Sequence, residues 1–295
     1  MKTMSGKAHT RVTLALDIVR KIDSGPLAGY HELFIVKHQI SLFDLITVRD
    51  AEVTSVRCGH PLVPLDNTNI CIRALDAVKK YTGIDKNAEI IIEKNIPVMG
   101  GLAGGSANAA TTLQLINSLW NLGLSGKRMA EIGRTLGMDV PYFFTGYTAF
   151  DTETTGVPEK IPTNLDLKMV LAIPDFGVST KEAYANIDYG ITGKNISMTQ
   201  AMKVALAQND FSGVIENMHN DFELSVFLRN PELGLIRQRL IDCGCLNAIM
   251  SGSGSTVIGI IDDSTDVDKI RNCAGCKTVI VSGTFFNGEN NVRQH

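Results

Sequence analysis

No run of apolar residues in this 295-residue chain is long enough to cross a bilayer. The opening segment, MKTMSGKAHTRVTLALDIVRK, alternates polar and apolar positions where a signal peptide would carry a continuous apolar core. Charge of one sign is equally scarce. The formal net charge is -3 with no basic stripe, so neither a nucleic acid nor a membrane is expected as a partner. Internal repeats, low-complexity tracts and regular alternation of strand with helix are also missing, which argues for an α+β fold rather than a doubly wound sheet. The expectation is a cytoplasmic globular protein, monomer or homodimer, with a small-molecule substrate; 44% hydrophobic and 20% charged residues suit it.

Among the residues that are present, six cysteines need a reading: Cys58, Cys71, Cys243, Cys245, Cys273 and Cys276. The last four form C-G-C and C-A-G-C pairs, and four thiolates can hold zinc. The Cys243–Cys245 spacing is tight for that, and ordinary reduced cysteines are expected in a cytosolic chain. Along the chain, residues 11–18, 31–40 and 42–48 read as strands and 23–30 as a turn. A helix is expected over 69–81 with Thr68 as its N-cap, a strand over 89–93, and helices from Ser106 and over 127–136. Composition shifts at 151–167, and a domain junction there gives units 1–160 and 161–295. Beyond it we expect a strand at 169–173, three or four helices over 180–243, strands at 247–250 and 256–261, a helix at 265–273 and a closing strand at 277–285.

The segment with the most chemistry is Pro97-Val98-Met99-Gly100-Gly101-Leu102-Ala103-Gly104-Gly105-Ser106-Ala107-Asn108, between a strand and a helix. Glycines there let backbone N–H groups converge, and the helix start adds its dipole, so the segment suits polyphosphate. No Gly-Lys-Ser/Thr closes it, which excludes a Walker A loop; Ala103 in the second glycine's place and the lack of a βαβ unit exclude the dinucleotide fingerprint. A tight strand-to-helix turn without a ligand is the competing reading.

This loop resembles the second motif of the galactokinase–homoserine kinase–mevalonate kinase–phosphomevalonate kinase superfamily, and Met250-Ser251-Gly252-Ser253-Gly254-Ser255-Thr256 resembles its third. Gly29-Tyr30-His31-Glu32-Leu33, Leu119 to Ser125, Gly137-Met138-Asp139-Val140-Pro141, Pro174 to Thr180 and Asn220 to Glu223 are most similar to the branch of 4-diphosphocytidyl-2-C-methyl-D-erythritol kinases. The resemblance implies a ribosomal-protein-S5-like N-terminal domain, a ferredoxin-like C-terminal domain, and ATP-dependent phosphorylation of an alcohol in non-mevalonate isoprenoid synthesis. It implies ATP and Mg2+ as cofactors. Residues 100–108 with Pro97 would cradle the nucleotide, Ser106 would face the metal, and Asn69 would lie near adenine. Asp139 would be the hydroxyl's partner, and Tyr30, His31, Tyr184, Ser251 and Gly252 would meet the acceptor substrate.

Positive charge is where the chain departs from that pattern. The family's first strand reads Ala-Lys-Ile-Asn-Leu; here it is Thr10-Arg11-Val12-Thr13-Leu14. Arg11 keeps the lysine's charge as a planar fork, as the galactokinase branch does, and Thr13 takes the place of a substrate-binding asparagine. Each role has a plainer alternative: a turn aspartate for Asp139, a strand-end cation for Arg11, a helix-core ring for Tyr184, a helix start for Asn69. A paralogous kinase for another alcohol and a non-catalytic nucleotide-binding relative are the competing functions.

Overall fold

The computed structural model describes residues 2–154, 157–276 and 278–285, and the backbone of 293–294. β1 (Thr3–Lys21) and β2 (His31–Ala51) form one long antiparallel pair, so the two runs expected at 31–40 and 42–48 are a single strand. Register shifts between His9 and Arg11, Thr13 and Ala15, and Ile18 and Arg20 bend this ribbon. β3 (Ser55–Cys58) then leads to α1 (Ile70–Thr82), whose N-cap is Asn69 and not Thr68. The Asn69 side chain accepts from the Cys71 N–H, whereas the Thr68 hydroxyl donates to Asp66 within the preceding turn. Gly83, at φ 73°, closes the helix in the left-handed conformation.

β4 (Asn87–Glu93) precedes the glycine loop, and α2 (Gly104–Leu119) follows it. α2 is buried from Ala107 through Leu113, which its run of alanines and threonines permits, since small side chains let it lie close on β1 and β2. α3 (Gly126–Arg134), α4 (Tyr142–Thr145), β5 (Thr148–Asp151) and β6 (Glu159–Lys160) complete this half. The first sheet runs β3-β4-β2-β1, with β5 added to β2 and β6 to β5.

The second half comprises β7 (Lys168–Ile173), α5 (Thr180–Ala185), α6 (Ile196–Gln208), α7 (Phe211–Glu216), β8 (His219–Asn220), α8 (Glu223–Arg229) and α9 (Pro231–Asp242). After these come β9 (Asn247–Met250), β10 (Val257–Ile261), α10 (Val267–Cys273), β11 (Thr278–Ser282) and β12 (Arg293–Gln294). Five helices thus occupy the stretch where three or four were expected. The second sheet is antiparallel in the order β11-β7-β10-β9, which places its first strand centrally and its last at an edge, as in a ferredoxin-like sheet. Residues 155–156 of the expected junction and residue 277 of the closing strand lie outside the described residues.

The halves share structure. β8 pairs in parallel with β1 (Ala15 opposite His219), and α6 packs on β1 and β2. One buried cluster mixes Val12, Leu14 and Val36 of the first sheet with Leu171, Met202 and Ile258 of the second half. The cysteine expectation needs one correction: Cys243 and Cys273 form a disulfide, with Cα atoms 6.7 Å apart. The ends of α9 and α10 meet in space, a neighbourhood that local C-x-C spacing does not reveal. Among the described residues no group of three or more His, Cys, Asp or Glu side chains is arranged to hold a metal ion, and no helix is long and apolar enough to cross a membrane.

Candidate active site

A cleft of about 800 Å³ runs between the glycine loop, the turn before β2, the β9–β10 turn and α5. Its placement follows from how the glycine loop is held. The Arg11 guanidinium and the Ser251 hydroxyl both donate to the Gly101 carbonyl, at 2.9 and 3.2 Å, and the Thr10 hydroxyl donates to the Leu102 carbonyl. From the second half, the Thr256 N–H donates to the Gly100 carbonyl. Gly101, at φ 72°, lies so close to Ser251 and Gly254 that a Cβ would overlap their backbone. The two sequence motifs are therefore one packed unit.

Ala103, the N-cap of α2, adopts φ 53° and ψ 29°, a left-handed conformation in which its Cβ crowds the following carbonyl. Met99, at φ 58°, is a second non-glycine residue of the loop in that region. Ala103→Gly is expected to stabilise the fold by about 1 kcal/mol through relief of that contact, offset in part by the freer unfolded chain. An unchanged or lower melting temperature would contradict it.

The first N–H groups of α2 have no intrahelical acceptor, and Gly104, Gly105 and Ser106 line the cleft. Behind them Lys94, also a cleft residue, donates to Asp44 at 2.6 Å and to the Ile96 carbonyl at 2.7 Å. The Asn108 side-chain oxygen is buried without a hydrogen-bond partner, and Asn108 lines the cleft as well.

At the other wall is a cluster of charge. Arg11, 5% exposed, donates through Nη2 to Asp139 Oδ2 at 2.7 Å. Lys37, from β2, places its ammonium 2.8 Å from Asp139 Oδ1, 2.8 Å from Asp151 Oδ2 and 2.9 Å from Glu153 Oε1. Its side chain is completely buried. Sheet register explains the meeting: Thr13 lies directly opposite Lys37, and Asp151 opposite Ile35. Since residues two apart share a face, Arg11, Thr13, Lys37 and Asp151 project from the same side. Asp139 arrives from the turn between α3 and α4, its carbonyl accepting from the Tyr142 N–H. Burial opposes ionisation of Asp139, but Arg11 and Lys37 outweigh it and hold the carboxyl well below the usual range. Glu153 goes the other way: burial, with Asp139 and Asp151 adding to it, pushes its carboxyl up against the pull of Lys37.

At the remaining end, Tyr30 is 49% exposed and His31 stacks on Tyr184, ring centroids 4.3 Å apart. Phe222 meets the Tyr184 ring edge-on at 4.9 Å, and the Tyr189 hydroxyl is 2.7 Å from His31 Nε2. Burial lowers the His31 pKa, with Lys21 adding to the effect.

Most of the residues singled out in the sequence line this one cleft: Arg11, Tyr30, His31, Asn69, Pro97, Gly100 to Ser106, Asn108, Asp139, Tyr184 and Gly252. Thr13, Ala107 and Ser251 do not. Thr13 is fully buried, its N–H donating to the Ser251 hydroxyl and its own hydroxyl 3.4 Å from Arg11. Asn69 lines the cleft, but its amide is occupied, accepting from Cys71 and donating to the Pro64 carbonyl. Lys37, Glu153 and Lys94 escaped the sequence reading. A signal existed for the first: a lone lysine among apolar neighbours within the strand Phe34-Ile35-Val36-Lys37 is obliged to meet carboxylates.

Residues 69–147 match the model of the GHMP kinases N terminal domain and residues 202–280 that of the GHMP kinases C terminal domain. The chain is 36% identical to the 4-diphosphocytidyl-2-C-methyl-D-erythritol kinase of Gloeobacter violaceus over 92% of this chain and 89% of that protein. It is also 36% identical to the Clostridium tetani protein of the same name, covering 92% and 94% of the two chains. A crystal structure of 4-(cytidine 5'-diphospho)-2C-methyl-D-erythritol kinase superposes with a TM-score of 0.77 at 25% identity, covering 96% of this chain and all of that one. Sequence and fold agree along nearly the whole length, and the chain belongs to the GHMP kinases, as an ATP-dependent small-molecule kinase.

Proposed function

We propose that this kinase transfers the γ-phosphoryl group of ATP to a hydroxyl of 4-diphosphocytidyl-2-C-methyl-D-erythritol, the compound in its relatives' names. The observation that carries the reading is that one guanidinium, Arg11, joins the Asp139 carboxylate to the glycine loop. Phosphoryl transfer needs a cradle, a partner for the nucleophile and positive charge near the moving group, and those parts here are hydrogen-bonded to one another. In this reading the chain divides into 1–160 and 161–295, with the nucleotide on the first unit and the acceptor between them.

Gly100 to Gly105, with the free amides of α2, accept the phosphates. Magnesium would come bound to those phosphates, as it usually does, with the Ser106 hydroxyl and Asn108 oxygen as neighbours able to meet it or its water. The unpartnered Asn108 oxygen suits that environment. The acceptor hydroxyl hydrogen-bonds to Asp139 and attacks the γ-phosphorus as the bond to the ADP oxygen breaks. Because Asp139 is a weak base, it orients the hydroxyl first and receives the proton late in the transfer. Arg11 opposes the negative charge that develops.

Gly105 is the position at which to test the cradle. At Gly104 a Cβ would lie 2.8 Å from Ile96 Cγ2, so substitution there disturbs packing; at Gly105 the nearest atom, on Ile70, is 3.9 Å away. Gly105→Val is expected to weaken ATP binding about tenfold or more while the melting temperature holds. Unchanged affinity by calorimetry would move the phosphates elsewhere.

The cytidine end falls to Tyr30, His31 and Tyr184. The stack of His31 on Tyr184 supplies a platform, and the exposed Tyr30 ring is available for a base. Removing a stacked ring costs roughly 1–3 kcal/mol, so Tyr184→Ala should raise KM for a cytidylated acceptor about tenfold. ADP release across a panel of cytidylated and free alcohols tests the assignment. Preference for a free alcohol would favour a paralogous kinase, a reading motivated by Thr13, which is withdrawn from the cleft where the family pattern has an asparagine.

A further inference from the structure

We propose that Lys37 is a positioning residue for phosphoryl transfer, fixing the Asp139 carboxylate from the side opposite Arg11. This rests on the reading of Asp139 as the hydroxyl's partner. Two strands contribute: Arg11 of β1 holds Oδ2 at 2.7 Å, and Lys37 of β2 stands 2.8 Å from Oδ1. Oδ2 accepts a hydrogen bond from Arg11, while Oδ1 meets the Lys37 ammonium as an ion pair without an aligned hydrogen bond, so the two charges restrain the carboxylate from both sides and leave an Oδ1 lone pair for a hydroxyl. Lys37 is itself immobile. Asp151 and Glu153 hold its ammonium at 2.8 and 2.9 Å, the Tyr142 ring lies 5.8 Å away, and its side chain is fully buried on a strand flanked by β1 and β5.

Charge arithmetic points the same way. Arg11 and Lys37 face Asp139, Asp151 and Glu153, which leaves one negative charge in surplus. Without Lys37 the surplus would be two, and Asp139 and Glu153 would compete to be the neutral partner. Lys7, the other cation near this end of β1, is turned away, its ammonium 4.5 Å from the centre of the Phe43 ring. A purely structural ion pair between Lys37 and Asp151 would need neither Asp139 nor a contact that reaches the wall of the cleft.

The test separates charge balance from positioning. Lys37→Met with Asp151→Asn removes one charge of each sign, so the cluster keeps its surplus and the protein should fold. Turnover in that double variant is expected to fall about 10²-fold, with KM for ATP unchanged. Turnover within about threefold of native, in a protein whose Asp139→Asn variant is inactive, would overturn the proposal alone. An active Asp139→Asn variant would instead overturn the reading beneath it, and this proposal with it. Should the double variant fail to fold, the native enzyme still decides the matter. The buried Lys37 ammonium resonance should shift when the acceptor binds, and a resonance that stays in place would overturn the role.

Discussion

Asp139→Asn is expected to lower kcat about 10²-fold or more while leaving ATP affinity intact. An amide at this position keeps the size and can still meet Arg11, but it accepts no proton and loses the charge that aligns both Arg11 and Lys37. Stopped-flow or steady-state ADP release gives kcat, and calorimetry gives the affinity; near-native turnover would remove Asp139 from the mechanism. The acid side of the kcat profile is a second measurement. The folded-state pKa of Asp139 is depressed by its two cations, against an unfolded value of about 3.9. Its ionised form therefore contributes stability above that unfolded value, and the contribution is lost as pH falls toward the folded pKa. Asp139 should impose no fall in kcat between about pH 7 and pH 5. A fall there that disappears in Asp139→Asn would contradict the depressed pKa.

Arg11→Ala carries the other large effect. The guanidinium donates to Asp139 and to the Gly101 carbonyl, so its removal frees one side of the carboxylate and one anchor of the glycine loop. Turnover should fall about 10²-fold or more if the charge acts on the transition state, with a smaller rise in KM for ATP from the loosened loop. Arg11→Lys restores charge without the fork and should recover part of kcat, while still lacking the geometry to reach Asp139 and Gly101 together. Turnover in the alanine variant within about threefold of native would be less than ~0.7 kcal/mol, too small for such a contact. Lys37 complicates the outcome in a useful way: it keeps Asp139 ionised in the Arg11 variants, so a loss there reports on the transferring group and the loop.

Secondary structure was legible wherever one period dominated. The alternation of Val12, Leu14, Leu16 and Ile18 located β1, and the spacing of Ala109, Leu113 and Ile116 located α2. Boundaries were less legible where two chemistries compete. Thr68 and Asn69 are both good caps, and only the position of Asp66 decides that Thr68 turns back, leaving the helix to Asn69. Ala103 illustrates a different limit. A glycine there would have announced a left-handed residue, whereas an alanine carries no such mark, and its φ of 53° is read only from the folded chain.

By itself the sequence determined the glycine loop, the Asp139 turn, the Tyr30–His31 pair at the start of β2 and the family they belong to, because each is a local run of residues whose chemistry is readable without neighbours. Tertiary structure alone decided which of those residues share a cleft, that Thr13 and Ser251 are buried behind it, that Cys243 meets Cys273, and that Lys37 joins Arg11 at one carboxylate. The physical reason is register. Thr13 and Lys37 lie 24 positions apart in the chain, and only the bulged pairing of β1 with β2 sets them side by side on one face.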